Sequence, residues 1–336
     1  MKTSITARFA AACRVLLLTG LAGSSWLVAG HCTAGPAITD PAQGGADYKL
    51  QGEYVGEVDA DGQPLKLGVQ VIAQGKGQFE AVGYVGGLPG AGWNREFPER
   101  IKSKEVDGKI VFEGSAADGI LKDGKIEVIR DGKSIGSLAK VERKSPTLGQ
   151  QPPADAEVLF DGKNADQWEN GQVTEQGWLK QGTASKPKFQ SQKLHIEFMT
   201  PFQPEDRDQG RGNSGVYLQG RYEVQVLDSF GLAGKNNEAG GIYEISDPKL
   251  NMCFPPLTWQ TYDIEFTAAK YDAAGKLVSN PRITVYHNGE LVQKDVELPR
   301  STRAAPGEPG PEPGPLYLQD HGNPIHYRNI WVVPMK

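Results

Sequence analysis

The residues best suited to chemistry lie between positions 211 and 229, where polar and apolar side chains alternate along a predicted strand. Glu223 and Gln225 are polar, and the residues between and beside them are apolar. A period of two sends these sets to opposite faces of a sheet, so the apolar set can pack on a core. Asp228 is out of phase and joins the polar face only if a bulge near residue 227 turns it inward. Two carboxyl groups would suit acid–base cleavage of a glycosidic bond, whereas the alternative is an ordinary solvated sheet face.

Four further polar residues near this strand could hold a sugar. They lie on the preceding strand or at its ends: Arg211, Asn213, Gln219 and Arg221. Arginine and asparagine can bind sugar hydroxyl groups, and a guanidinium can stabilise an enolate or an oxyanion. Glycines close by indicate a tight backbone at this point of the chain. A turn of ordinary surface polarity explains the same residues equally well.

A second group of titratable residues lies near the end of the chain, between positions 318 and 331. It contains two histidines, His321 and His326, and the cation Arg328. Imidazole titrates near neutral pH, so either histidine could move protons. Their spacing matches no common metal-ligand pattern, and a hydrogen-bonded structural role is the alternative. Two more histidines lie in predicted strands without an acidic cluster and are predicted to be structural: His195 and His287.

The composition indicates a β-rich globular protein. The chain has 336 residues with a formal net charge of -5, and its 42 glycines and 23 prolines suit many strands joined by tight turns. No basic stripe is present to neutralise phosphates, so the pattern excludes nucleic acid as a partner.

The first 34 residues predict an export signal. Basic residues come first, an apolar stretch follows at 15–30, and small residues at 32–34 offer a cleavage point. The alternative is a retained membrane anchor, but the apolar stretch is short and interrupted. We therefore expect a periplasmic or secreted protein with no membrane segment in its mature form. Cys253 would be its only cysteine, and the apolar residues around it predict a buried thiol.

The rest of the chain divides by composition into two β-rich domains. Residues 35–47 are a polar lead, and 48–143 form a predicted small antiparallel sandwich or barrel with repeated Asp-Gly hairpin turns. A Pro-rich linker at 144–156 precedes a longer β domain at 157–336. Within that domain, residues 301–315 are poor in apolar side chains and predict a mobile loop.

Five motifs in order give the second domain a family resemblance. They are Val158–Asn164 with Trp168, Gly212–Ser229, Gly240–Tyr243, Pro255–Tyr262 and Leu318–Trp331. Together they resemble the 3-keto-disaccharide hydrolase domain family over essentially residues 157–336. The resemblance implies an all-β, concanavalin A-like jelly-roll sandwich whose concave face binds carbohydrate. It also implies secreted or periplasmic action on glycosides oxidised at carbon 3.

The resemblance also suggests roles for individual residues. A ketone at carbon 3 acidifies the proton on carbon 2, so a base could start an elimination that expels the anomeric substituent before water adds. Candidate bases are His321 and Glu223, and Asp228 is the candidate acid. The candidate enolate stabilisers are Arg211 and Arg328, and Tyr243 and Gln319 join the predicted substrate-binding residues. A divalent cation could replace the arginine, but no ligand set is visible and no other cofactor is evident.

Two other functions fit the same residues. The strand that carries Glu223, Gln225 and Asp228 also resembles the bulged acidic strand of laminarinase-like glucanases, with Gln in place of the middle acid and Asp in place of the last. This favours a glycoside hydrolase acting on unoxidised glycans as one alternative. The other is a non-catalytic carbohydrate-binding module, which needs aromatic and amide side chains rather than converging titratable groups.

Overall fold

The computed structural model describes residues 36–335, and nearly all their regular structure is β, which confirms the predicted fold class. Helical turns are confined to Pro41–Gln43, Gly45–Leu50 and Asp208–Gly210. No helix among the described residues has the length and apolar character needed to cross a bilayer. The predicted export signal lies outside the described residues.

The first nine strands form one antiparallel sheet that curls into a barrel-like shape. Four hairpins turn at Asp-Gly pairs whose aspartates adopt positive φ values of 50–56°, as the sequence predicted. Buried apolar residues such as Tyr54, Phe112 and Leu138 form an apolar cluster inside the barrel. The strands are β1 Gly52–Ala60, β2 Gln63–Gly75, β3 Gln78–Val85, β4 Glu99–Lys102, β5 Lys104–Val106, β6 Lys109–Glu113, β7 Asp118–Lys122, β8 Lys125–Arg130 and β9 Lys133–Val141. Their order in the sheet is β4-β3-β2-β1-β9-β8-β7-β6-β5.

The later strands build a sandwich of two antiparallel sheets with an apolar core between them. The seven-stranded sheet contains β10 Glu157–Phe160, β12 Leu179–Lys180, β14 Gln192–Met199, β17 Gln260–Thr267, β20 Arg282–His287, β21 Glu290–Glu297 and β23 His326–Pro334. The five-stranded sheet, in the order β11-β13-β22-β15-β16, contains β11 Trp168–Glu169, β13 Thr183–Phe189, β15 Ser214–Leu218, β16 Tyr222–Val226 and β22 Gly314–Leu318. A separate hairpin pairs β18 Lys270–Tyr271 with β19 Leu277–Ser279.

The barrel packs directly against the sandwich. Ile72 and Tyr84 of the barrel share one buried apolar cluster with Phe230 and Cys253 of the sandwich. Cys253 is 1% exposed, so its predicted burial is confirmed. The predicted domain boundaries at residues 143 and 157 stay a prediction.

Candidate active site

Strand β16 places Glu223 and Gln225 on the outer face of the five-stranded sheet. Tyr222, Val224 and Val226 lie in the sandwich core, so the residues between them must point the other way. The predicted alternation is therefore confirmed. Pairing with β15 sets Tyr217 opposite Glu223, and Gly215 opposite Gln225.

The Glu223 carboxyl group lies in a small polar pocket of its own. The side chain is buried, and its Oε2 accepts a hydrogen bond of 2.8 Å from the Tyr217 hydroxyl. The Gln319 amide donates in turn to that hydroxyl at 3.1 Å. A Cβ atom at position 215 would lie 2.2 Å from Glu223 Oε1, so only glycine leaves room for the carboxyl group. We call Gly215, Tyr217, Glu223 and Gln319 the Glu223 cluster.

The environment of this cluster shifts the proton affinity of Glu223. Burial raises the pKa of Glu223 to about 8, against a smaller lowering by the hydrogen bond from Tyr217. Burial also raises the pKa of Tyr217, with further contributions from Glu223, Tyr317 and Tyr243. A carboxyl group that titrates near neutral pH can both take up and release a proton under physiological conditions. Proton transfer at Glu223 is the chemistry that this arrangement can perform.

The segment 301–315 covers the cluster and is anchored rather than loose. The Glu223 amide donates to Thr302 Oγ1 at 3.0 Å, and the Thr302 amide donates to the Arg221 carbonyl at 3.0 Å. Arg221 Nη1 donates to the carbonyls of Gly310 and Glu312 at 3.1 and 3.0 Å. The sequence predicted a mobile loop here because the segment is poor in apolar residues. Hydrogen bonds to Arg221 and to Glu223 of β16 replace the missing apolar contacts.

The same contacts change the interpretation of Gln219 and Arg221. Both side chains are buried, and Arg221 Nη1 donates to Gln219 Oε1 at 3.1 Å. Gln219 also donates to the Phe189 carbonyl at 3.1 Å. Both were predicted to bind substrate, but the structure uses them to hold the covering segment in place.

Asp228 and Arg211 are not brought to the Glu223 cluster. Strand β16 ends at Val226, so Asp228 lies beyond the strand. Asp228 Oδ2 instead lies 2.7 Å from Arg211 Nε in a buried ion pair. Arg211 Nη1 also donates to the Ala73 carbonyl of the barrel at 3.1 Å. The guanidinium is occupied by these partners, so neither residue fills its predicted catalytic position here.

Asn213 and Gln225 lie together beside the cluster. Gln225 Nε2 donates to Asn213 Oδ1 at 2.8 Å, and Asn213 Nδ2 donates to the Gln209 carbonyl at 2.8 Å. The Gln225 Oε1 atom is buried without a hydrogen-bond partner among the described residues. Buried acceptors of this kind call for a bound water or ligand. Both side chains are buried, and their role in substrate binding stays a prediction.

The C-terminal candidates separate into two locations. His321 lies two residues beyond Gln319 in an exposed turn, and no hydrogen bond from its ring is found within residues 36–335. Arg328 lies on the seven-stranded sheet, where its Nε is 2.7 Å from Glu197 Oε2 and its guanidinium stacks 4.0 Å from the Trp259 ring. The structure therefore separates Arg328 from the Glu223 cluster.

Sequence reasoning missed a second buried polar group, on the seven-stranded sheet. His195 Nδ1 lies 2.6 Å from Asp263 Oδ1, and Glu197 accepts hydrogen bonds from Gly149, Arg328 and Asn329 at 2.6, 2.7 and 3.0 Å. The expectation that His195 lacks acidic neighbours was wrong, because Asp263 belongs to the adjacent strand. His287 is buried and bonds Gln260, as expected for a structural histidine.

Tyr217 was also missed, although a signal for it existed. Two strand-like runs meet at Gly220, and a tight hairpin there pairs residues equidistant from it. Extending that register would have set Tyr217 against Glu223. Among residues 36–335, no group of three or more His, Cys, Asp or Glu side chains could hold a metal ion.

Comparison with known proteins adds three findings. The profile of the 3-keto-alpha-glucoside-1,2-lyase-like domain matches residues 155–333. A crystal structure of a candidate glycosyl hydrolase from Parabacteroides distasonis ATCC 8503 is 35% identical, with a TM-score of 0.50, over 55% of this chain and 85% of that one. A second protein of the same description and organism is 18% identical, with a TM-score of 0.40, over 54% and 94% of the two chains. No curated protein matches.

Proposed function

Because the chain belongs to the 3-keto-alpha-glucoside-1,2-lyase-like domain family, we propose that it is an exported enzyme that cleaves the glycosidic bond of glycosides oxidised at carbon 3. The observation that carries the proposal is the buried carboxyl group of Glu223, whose pKa is raised to about 8 on the outer face of the five-stranded sheet. The description of the Parabacteroides protein as a candidate glycosyl hydrolase supports action on a glycoside. The basic, apolar and small residues of the first 34 positions support export.

Glu223 acts in this proposal as the base that removes the proton from carbon 2. The electrons of that C–H bond form an enolate with the carbon 3 ketone. The enolate then re-forms the ketone while a double bond forms between carbons 1 and 2 and the bond between carbon 1 and the leaving oxygen breaks. Water then adds its hydroxyl group to carbon 1, and carbon 2 regains a proton. A carboxylate whose conjugate acid has a pKa near 8 is a stronger base than an ordinary carboxylate. Tyr217, held by Gln319, orients the carboxyl group for this step.

The remaining roles pass to residues at the rim of the cluster. We assign His321 as the acid that protonates the leaving oxygen, because its exposed side chain lies two residues beyond Gln319. Arg303 can stabilise the enolate in place of Arg211 and Arg328. Its carbonyl lies 3.4 Å from the Tyr217 hydroxyl. Its guanidinium pairs with Glu244 at 3.3 Å, but the Arg303 side chain is 73% exposed, so this surface pair is weak and a substrate can compete for the cation. A bound divalent cation is the alternative stabiliser, and loss of activity on chelation would support it.

The geometry favours this route over double-displacement hydrolysis of unoxidised glycans. Retaining glycosidases hold two carboxyl groups roughly 5 Å apart. The pKa of Glu223 is shifted by burial and by Tyr217, with no contribution from a second carboxyl group among the described residues. Asp228, the expected partner, is paired with Arg211.

The test is release of the aglycone from chromogenic 3-keto-glucosides of both anomers. We expect turnover by the wild type and a loss of about 10³-fold in Glu223→Gln, since the variant keeps the shape but cannot accept a proton. Glu265→Gln is the matched control, because Glu265 is an exposed partner of Lys193 on the other sheet. Binding of the keto-sugar without turnover would refute the enzymatic proposal. Release of reducing sugar from unoxidised glucans alone would refute the substrate class.

A further inference from the structure

The barrel-like sheet encloses a cavity that none of the chemistry above uses. Its volume is about 270 Å³, and its walls are mostly apolar. Residues from several strands line it, among them Leu67, Val69, Phe112, Ile126, Val128 and Leu138. Protein interiors are normally packed to the density of organic crystals, so a void of this size is unusual for a purely structural core.

The cavity exists partly because one strand presents glycine to the interior. Ala81, Gly83 and Val85 alternate along β3 and all line the cavity, so they face inward together. A Cβ atom on Gly83 would meet only one atom within 4 Å, the Glu99 carbonyl oxygen at 3.9 Å. The backbone of Gly83 is not in the left-handed region, so its conformation does not require glycine. What the glycine provides is open space.

The mouth of the cavity lies next to an aromatic side chain that is exposed to solvent. Phe97 lines the cavity and is 99% exposed. The rim also carries the acids Glu96, Glu99 and Asp118, together with Arg130, which forms an ion pair with Asp61 at 3.1 Å. A ligand that covers both the aromatic ring and the apolar cavity removes apolar surface from water, and this burial favours binding.

We propose that the barrel binds a neutral apolar molecule of one or two rings, or a short alkyl chain. An apolar cavity of roughly 150 Å³ accommodates benzene, so this larger cavity has room for a naphthalene-sized group. Its walls offer few polar partners to hold water. The acids at the rim repel carboxylates and other anions, so the ligand carries no negative head group. This site stands independently of the chemistry proposed for Glu223.

The experiment titrates the full-length protein with N-phenyl-1-naphthylamine, a neutral dye that fluoresces in apolar sites. We expect saturable fluorescence that 1-octanol displaces and octanoate displaces much less well. Gly83→Leu adds the four carbon atoms of the leucine side chain to the cavity and should weaken dye binding by about tenfold or more. Gly83→Ala should give a smaller loss. Phe97→Ser should weaken binding without changing the melting temperature, because the ring makes almost no contact in the free protein.

Ser134→Leu is the matched control. Ser134 is exposed on β9 and does not line the cavity, so a leucine there adds apolar surface to the outside of the same barrel. It should leave dye affinity unchanged. Circular dichroism and thermal melting establish that each variant is folded before its affinity is compared. Absence of saturable binding, equal displacement by octanoate and octanol, or equal losses in Gly83→Leu and Ser134→Leu would each overturn the proposal.

Discussion

Two glutamates on opposite faces of the sandwich have nearly the same burial and opposite proton affinities. Glu223 on the five-stranded sheet and Glu197 on the seven-stranded sheet are 2% and 1% exposed. Burial raises the pKa of Glu223 to about 8. Burial also acts to raise the pKa of Glu197, but its hydrogen bonds outweigh that effect and lower it to about 2.

The difference lies in the number and kind of donors. Glu197 is surrounded by four donors: His195, Asn329, the Gly149 amide and Arg328. Of these, Arg328 is positively charged and His195 can become so. Glu223 has one neutral donor to its carboxylate, the Tyr217 hydroxyl. A buried carboxylate supplied with several donors stays charged and serves structure, whereas one with few donors holds its proton up to neutral pH. The comparison therefore separates a structural acid from a candidate catalytic one.

The largest expected effect is on activity, which the substitution at Glu223 should lower and the substitution at Glu197 should leave nearly unchanged. Glu223→Gln should lower kcat/KM on a 3-keto-glucoside by about 10³-fold, because the proton acceptor is lost. Glu197→Gln should leave kcat per folded molecule close to wild type, because Glu197 lies on the other sheet. The measurement is steady-state kinetics, with the folded fraction determined for each variant. Equal losses of kcat in both variants would break the distinction between the two acids.

The next largest expected effect is on the free energy of unfolding, and here Glu197→Gln is the variant that should lose most. Glu197→Gln should lower the free energy of unfolding by about 3 kcal/mol near neutral pH, because it breaks a buried charged network. The folded pKa of Glu197 lies below its ordinary value of 4.5, so its stabilisation is present above that value. It should be lost as the pH falls from about 4.5 to about 2, and the variant should lack this dependence. Urea unfolding at several pH values measures both, and an unchanged pH dependence in the variant would contradict the assignment.

Glu223→Gln should stabilise the protein, but only at high pH. The folded pKa of Glu223 is raised above its ordinary value of 4.5, so ionisation costs folding free energy that grows as the pH rises from 4.5 to about 8. Below about pH 4.5 both forms are neutral and equally stable. Above about pH 8 the variant should exceed the wild type by about 2–4 kcal/mol. A constant difference across this range, measured by urea unfolding, would show that Glu223 is not the group that titrates.

Local pattern was enough to predict the strand that carries Glu223. Alternation along β16 set its outward face, and Asp-Gly pairs set the barrel hairpins, because both depend on neighbouring residues only. The pairing of Tyr217 with Glu223 could have been found by extending the hairpin register. These features connect residues close in sequence, and periodicity and turn chemistry report on such residues directly.

The features that sequence reasoning missed depend on contacts between distant residues. Arg211 bonds Ala73 of the barrel, and that contact withdraws it from the Glu223 cluster. His195 meets Asp263 across a strand pair, and Thr302 reaches Glu223 from a segment with no pattern of its own. Such contacts follow from the order of strands in each sheet, which no single stretch of sequence encodes.

The smallest effect concerns the one donor that Glu223 has. The hydrogen bond from Tyr217 lowers the pKa of Glu223, so Tyr217→Phe should raise that pKa further. If Glu223 is the base, the rise of kcat/KM with pH should move to higher pH by roughly one unit, and the rate near neutral pH should fall about tenfold. Near about pH 10 kcat/KM of the variant should approach that of the wild type measured at the same pH, because Glu223 is then deprotonated in both. Tyr286→Phe, on β20 of the other sheet, is the control and should not move the profile. A uniform loss at every pH would mean that Tyr217 orients Glu223 without tuning its proton affinity, and the donor count would then fail to explain the contrast with Glu197.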